Sequence, residues 1–198
     1  MKFTQIPENT FKNIQLNAGV LLKAFTPDTG TLKATDILGA TSGGANFTAT
    51  PSFIDFGEDI DNCPKNVKEL KKLDGWEAKM SGTFVTVTAG LAAKLTGAAD
   101  EESGKITPRN ELKASDFADL WWVGDYSAAN EDGGGGTGSA GFCAIHMLNS
   151  LSTGGFQIQS GDKTKGQLAF EFTGHYSMDE PETVPFEIYV KEGTEVAA

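Results

Sequence analysis

The sequence predicts a mainly-β fold, a β-sandwich or barrel-like domain with one flanking α-helix and long loops. Three observations lead there. Glycine supplies 24 of 198 residues, more than ordinary usage, which marks frequent turns. Several short runs alternate apolar and polar residues with the period of two that a half-buried strand requires. One stretch alone, from Gly90 to Glu102, has the wider spacing of an amphipathic helix. The length suits a single domain over residues 1–198 and leaves two independent cores crowded.

The elements follow in chain order. GVLLKAF (Gly19 to Phe25) is a compact apolar run bounded by Asn17 and by Pro27-Asp28, and reads as a strand. The glycine- and acid-rich stretch from about 39 to 75 reads as a long loop, within which Ala45 to Ile54 can pair as a strand. As a loop, its residues 42–62 are expected to be removable without loss of the fold. WEAKMSGTFVTVT, starting at Trp76, is the clearest half-buried strand, and the helix follows with Leu91, Ala92, Leu95 and Ala98 on one face. TPRNELKASDFADL is open between turn and helix. DLWWVGDYS and GFCAIHMLNSL read as strands joined by a glycine-rich loop at about 130–141, and Lys165 to Val190 reads as a terminal hairpin.

Alternation assigns the faces. Trp76, Met80 and Phe84, with Ala78 and Gly82, are expected to face the core, as are Leu168, Phe170, Phe172 and Tyr176. Glu77, Lys79, Ser81 and Thr83, and Glu171, Thr173 and His175, then face the other way. Burying each large apolar side chain contributes roughly 1.5–3 kcal/mol, so the register is strongly specified.

Charge and motifs exclude more than they assign. A net charge of −11 argues against a basic surface gripping nucleic acid. The N-terminal MKFTQIPENTFKN lacks an apolar core of signal-peptide length, and no run approaches membrane-spanning length, so cytoplasmic synthesis and no membrane partner are expected. Cys63 and Cys143 are far apart, without metal-ligand spacing. Gly136 to Gly141 matches G-x-G-x-x-G, with Asp162 about 20 residues on, but a polar stretch precedes it where a dinucleotide site needs a buried strand. The acids Asp55, Glu58, Asp59 and Asp61 miss the spacing of a calcium loop. The sequon Asn46-Phe47-Thr48 carries no information without a secretion signal. His146 and His175 have no serine or cysteine placed for a triad, and Cys143 and His146 point to opposite faces of one strand. The sequence therefore predicts no catalytic residues, no cofactor, no metal and no enzyme.

The runs NAGVLLKAF, GATSGGANFTATPSFIDFGEDIDNCPKNVKELKKLDGWEAKMSGTFVTVT, DLWWVGDYS and GGFQIQSGDKTKGQLAFEFTGHYSMDEPETVPFEIYV cover most of the chain in order. In these stretches the sequence resembles the major tail proteins, or tail-tube proteins, of long-tailed non-contractile bacteriophages and prophages. That resemblance implies the phage tail-tube fold, hexameric rings stacked into a tube, and passage of the double-stranded genome through the lumen. It also implies tape-measure and tail-tip proteins as partners, and a place in the virion tail after synthesis in the bacterial host cytoplasm. The fold is shared with the tube of type VI-like secretion systems, so fold alone does not separate the two uses.

With that expectation, Glu77, Lys79, Glu171 and Thr173 are the candidate lumen-facing residues, because a wall of carboxylates and hydroxyls lets DNA slide without counterion-release attraction. Phe53, Asp55, Glu58, Asp59 and Asp61 are the candidate inter-ring contacts, and the glycine-rich loop at 130–141 is a second candidate. Two readings from other classes stand beside it. A secreted carbohydrate-binding β-sandwich would stack sugar on Trp121, Trp122 or Tyr126, and a nucleotide-dependent enzyme would rest on the glycine motif alone.

Overall fold

The structure, a computed structural model, describes residues 14–15, 17–125 and 141–192. Among these the chain is mainly β with one α-helix, as the alternation predicts. The strands are β1 (Val20–Leu22), β2 (Thr41–Asp55), β3 (Lys71–Phe84), β4 (Ala99–Glu102), β5 (Lys105–Pro108), β6 (Ala118–Asp125), β7 (Phe142–Ser152), β8 (Leu168–Thr173) and β9 (Phe186–Lys191). Helix α1 (Ala89–Thr96) follows β3. None of the described helices is long and apolar enough to cross a membrane.

Two antiparallel layers face each other. One is ordered β1-β6-β7-β9, and the other is the end of β7 followed by β8, β3 and β2. Strand β7 belongs to both because it bends in the middle. Ala118 lies opposite Ser150 and Leu120 opposite Met147, so β7 carries an extra residue across from Asp119, and Asn149 takes a positive φ of 47° there. Asparagine tolerates that left-handed conformation better than most residues. The bulge is pinned from three sides. The Asn149 N–H donates to Asp119, its side-chain amide donates to the His175 carbonyl, and the Leu148 N–H donates to the Pro185 carbonyl.

The core fills the space between the layers. Leu21, Leu120 and Met147 come from the first layer, Met80, Phe84, Leu168, Phe170 and Phe172 from the second, and Leu91 and Leu95 from the helix. Gly82 leaves room for the Phe170 ring, whose tip would stand 2.8 Å from an added Cβ. Thr88 caps α1 by accepting from the Leu91 N–H, and Gly97 ends the helix at φ 86°. The buried Ser152 hydroxyl donates to the Leu95 carbonyl and ties the helix to β7. A second cluster, Leu22, Phe25, Trp121, Val123, Phe142 and Ala144, lies on the opposite face of the first layer. That layer is thus apolar on both sides.

Several expectations change. The loop expected at about 39–75 is mostly strand: β2 and β3 pair from Thr41–Phe84 out to Asp55–Lys71, and only residues 56–70 connect them. The pairing expected for Ala45–Ile54 does form, as the body of β2; what composition hid is the start of its partner, the Lys71–Gly75 stretch of β3. Removing residues 42–62 would therefore remove a strand that places Phe47 against the core. The hairpin expected at Lys165–Val190 does not form, since β8 pairs with β3 and β7 while β9 pairs with β7 in the other layer. Tyr176, expected in the core, is 42% exposed, because the chain leaves the sheet at Gly174 and its hydroxyl instead accepts from the Trp76 N–H. Trp76 is half-buried and meets Phe186 edge-on, because β3 outruns its β8 neighbour at that point. The helix stops at Thr96, so Ala98 is not on its face, and the next residues form the β4–β5 hairpin. The ambiguous segment at 107–120 closes β5, makes one short 3-10 turn at Ala114–Asp116 and opens β6. The apolar run at Gly19–Phe25 is strand only over Val20–Leu22.

Candidate assembly surfaces

The outer face of the second layer is polar across its width. Alternation in register places Thr48, Lys79 and Thr173 in one row, with Asn46, Ser81 and Glu171 in the next. Thr50 pairs with Glu77 at one end of this face, and Thr83 with Ala169 at the other. Thr153 joins from beyond β7, its hydroxyl 2.8 Å from that of Thr173 and donating to Glu171 at 3.2 Å. The four residues expected on one wet face, Glu77, Lys79, Glu171 and Thr173, are brought together here.

Electrostatically the wall is weakly acidic. Lys79 is ion-paired with Glu77 on its own strand. The hydrogen bond to Glu77, then the charges of Glu77 and Glu171, raise the Lys79 pKa above its ordinary value. Among the described residues of this face it is the one cation, and it is engaged. Hydroxyls, amides and paired charges present little to a passing polyanion.

The β2–β3 hairpin leads away from this wall. Its β3 strand pairs with β8 only from Lys79 to Phe84, so residues 71–78 run on beyond the layer. The apolar side of the hairpin continues with them: Phe53 faces Leu73 across the pair, 54% and 44% exposed, left open by the described residues of the subunit. At the tip Phe56 is 57% exposed, with Ile54 and Ile60 also open to solvent. Asp55, Glu58, Asp59 and Asp61 belong to the same segment, Lys65 and Lys68 follow in the 56–70 connection, and Lys71 lies over the Phe53 ring at 5.6 Å. The Asp55 carboxylate accepts from the Gly57 N–H and shapes the turn. The outer edge of β2 pairs with no described strand, nor does the outer edge of β9, whose Ile188 and Val190 are exposed.

Elsewhere the chemistry-bearing residues are in structural roles. His146 stacks flat on Trp121 at 3.9 Å and sits within hydrogen-bond distance of Asp119 and Glu187. The Tyr189 hydroxyl donates to Glu187 at 2.6 Å, and that bond, followed by the one to His146, lowers the Glu187 pKa. Trp121 is buried and offers no open face to a sugar, while Trp122 is lodged against Gly19 with its indole N–H donating to the Ala18 carbonyl. Tyr126 and Gly136 to Ala140 lie outside the described residues, as does nearly all of the expected loop at 130–141. Cys63 and Cys143 are free thiols. Sequence reasoning missed the unpaired outer edge of β2 and the bulge at Asn149, since both depend on which strands become neighbours.

Compared with known proteins, the chain matches no family model and no curated sequence.

Proposed function

We propose that the protein is a structural subunit that joins copies of itself into stacked rings, forming the tail tube of a long-tailed bacteriophage. The observation that carries this reading is the β2–β3 hairpin, whose apolar side outruns the core of its own subunit at Phe53 and Leu73. Exposed apolar side chains, and a long edge on β2 that no described strand covers, are liabilities that a partner strand removes. Both features are resolved by assembly through heterologous contacts, which close into rings or propagate as filaments. The polar wall supports the same reading, as its hydroxyls and paired charges suit a bore through which DNA moves without binding.

In this arrangement Glu77, Lys79, Glu171 and Thr173 line the lumen, the edges of β2 and β9 join neighbours within a ring, and the hairpin tip reaches the adjacent ring. Tape-measure and tail-tip proteins are the further partners, and the assembled location is the virion tail. Electron microscopy of the concentrated purified protein tests the proposal. Rings or hollow filaments of constant diameter are expected; a strictly monomeric protein at every concentration and salt overturns it.

A further inference from the structure

The two histidines of the chain make different demands on their protons. His175 sets one ring nitrogen, Nδ1, 3.1 Å from the Asn149 carbonyl, a bond that a neutral imidazole donates as well as a charged one. His146 faces a carboxylate with each nitrogen: Nε2 lies 3.1 Å from Asp119 on β6, and Nδ1 lies 3.3 Å from Glu187 on β9. A neutral ring has one N–H and one lone pair, so it serves one of these acids and turns its lone pair on the other. Only the doubly protonated ring donates to both. The ring lies flat on Trp121, at 3.9 Å and 9° between planes, and cannot swing away from either acid without losing that stack. Around this group, Lys94 on α1 lies within range of Lys23 and of the Asp119 carboxylate, and Asp28, between β1 and β2, lies within range of Tyr189.

The other partners of the two acids decide which bond is lost with the second proton. Asp119 holds the β7 bulge with Oδ1, and among the described residues His146 is the one donor to its Oδ2. Glu187 Oε2 already accepts from the Tyr189 hydroxyl at 2.6 Å. A singly protonated ring therefore keeps its N–H toward Asp119, and its lone pair confronts Glu187. Strand β9 has little else to hold it: it pairs with β7 alone among the described strands, Ile188 and Val190 are exposed, and Phe186 anchors only its first residue, against Phe47 and Trp76.

We infer that His146 is a pH-sensitive latch on β9, which ties Glu187 to β6 and β7 when both ring nitrogens carry protons and lets the outer strand loosen when one does. The latch works within a single subunit and goes beyond the tube reading, although β9 is one of the two open edges which that reading gives to a neighbouring copy. Its contribution is present on the acid side of the interval, about pH 5 to 8, in which imidazoles change charge, and is lost as pH rises through it. Glu187 remains an acceptor at the acid end, because the bonds from Tyr189 and then His146 hold its carboxyl below its ordinary value.

Amide hydrogen exchange of the full-length chain, resolved by NMR and corrected for the intrinsic effect of pH, reads the strand directly. Protection of the β9 amides bonded to β7 is expected to fall at least about fivefold between about pH 5.5 and about pH 8, while the amides joining β3 to β8 change less than about twofold. His146→Phe is expected to leave β9 weakly protected at both pH values. Glu187→Gln, which offers the ring a donor or an acceptor, is expected to make protection even across the range, and because the Glu187 side chain is 49% exposed this variant carries the test if His146→Phe does not fold. His175→Gln is expected to keep the wild-type response. A wild-type β9 indifferent to pH, a response that persists in either His146→Phe or Glu187→Gln, or one that vanishes in His175→Gln overturns the latch. A chain that never assembles defeats the tube reading and leaves the latch standing.

Discussion

Shortening the hairpin separates what it does for the subunit from what it does for the assembly. The perturbation replaces residues 54–72 with Asn-Gly, joining Phe53 to Leu73, which already face each other across the pair. Ala45, Phe47, Met80 and Phe84 keep their places against the core. The removed segment includes Ile54, Phe56 and Ile60, each at least 40% exposed, so its packing is mostly with itself. Closing a loop about tenfold shorter lowers the closure entropy by roughly 2 kcal/mol, which offsets most of the modest apolar burial that the tip had provided. Folding stability is therefore expected to stay within about 2 kcal/mol of the parent, read by urea unfolding followed through tryptophan fluorescence. Assembly is expected to be lost at concentrations where the parent forms tubes, read by electron microscopy. A shortened chain that still grows tubes refutes the role of the tip, and one that no longer folds refutes the claim that the arm lies outside the core.

Three further outcomes are expected. Phe172 is fully buried between Met80 and Ser152 in the ladder, so Phe172→Ala is expected to cost about 3–5 kcal/mol by urea melting and Phe172→Asp to prevent folding; soluble, folded Asp variant would contradict the register. Asp116, 8% exposed, accepts from the Lys113 N–H and from Arg109, and these bonds, the backbone one first, lower its pKa. Its contribution is thus present above the unfolded carboxyl value near 3.9 and lost as pH falls through the lower folded value; Asp116→Asn is expected to cost about 1–2 kcal/mol at neutral pH, with the melting difference from wild type shrinking as pH falls below about 4. On the polar wall, Glu77→Lys with Glu171→Lys is expected to make assembled tubes bind double-stranded DNA, with the logarithmic salt slope steepening by about 0.9 for each phosphate engaged; unchanged binding would place these residues away from the bore.

How much was legible in the sequence differs from element to element. Met80, Phe84, Leu168, Phe170 and Phe172 alternate with polar neighbours strictly enough that their core positions could be assigned before any strand order was known. Glu77, Lys79, Glu171 and Thr173 share a face for the same reason, and that they lie side by side required only that β3 and β8 be neighbours. The failures have a common cause. Tyr176 continues the alternation of β8 on paper, yet after Gly174, which still donates to the Ala78 carbonyl of β3, His175 turns to donate to the Leu148 carbonyl, so period alone overextends the strand. In residues 39–75 the pairing of Ala45–Ile54 was legible but its extent was not: glycine, lysine and aspartate composition masked the Lys71–Gly75 start of β3, because that end of the hairpin lies largely in solvent, which tolerates such residues.

By itself the sequence determined the class of fold and the two faces of its principal strands, because side-chain direction in a strand is a local property with a fixed period. Only the tertiary structure decided that β8 and β9 part company, that Asn149 bends β7 into two layers, and that the β2–β3 hairpin outruns its own core. These depend on contacts between residues far apart in the chain, where the outcome is set by which apolar surfaces can cover one another, and no local pattern records that choice.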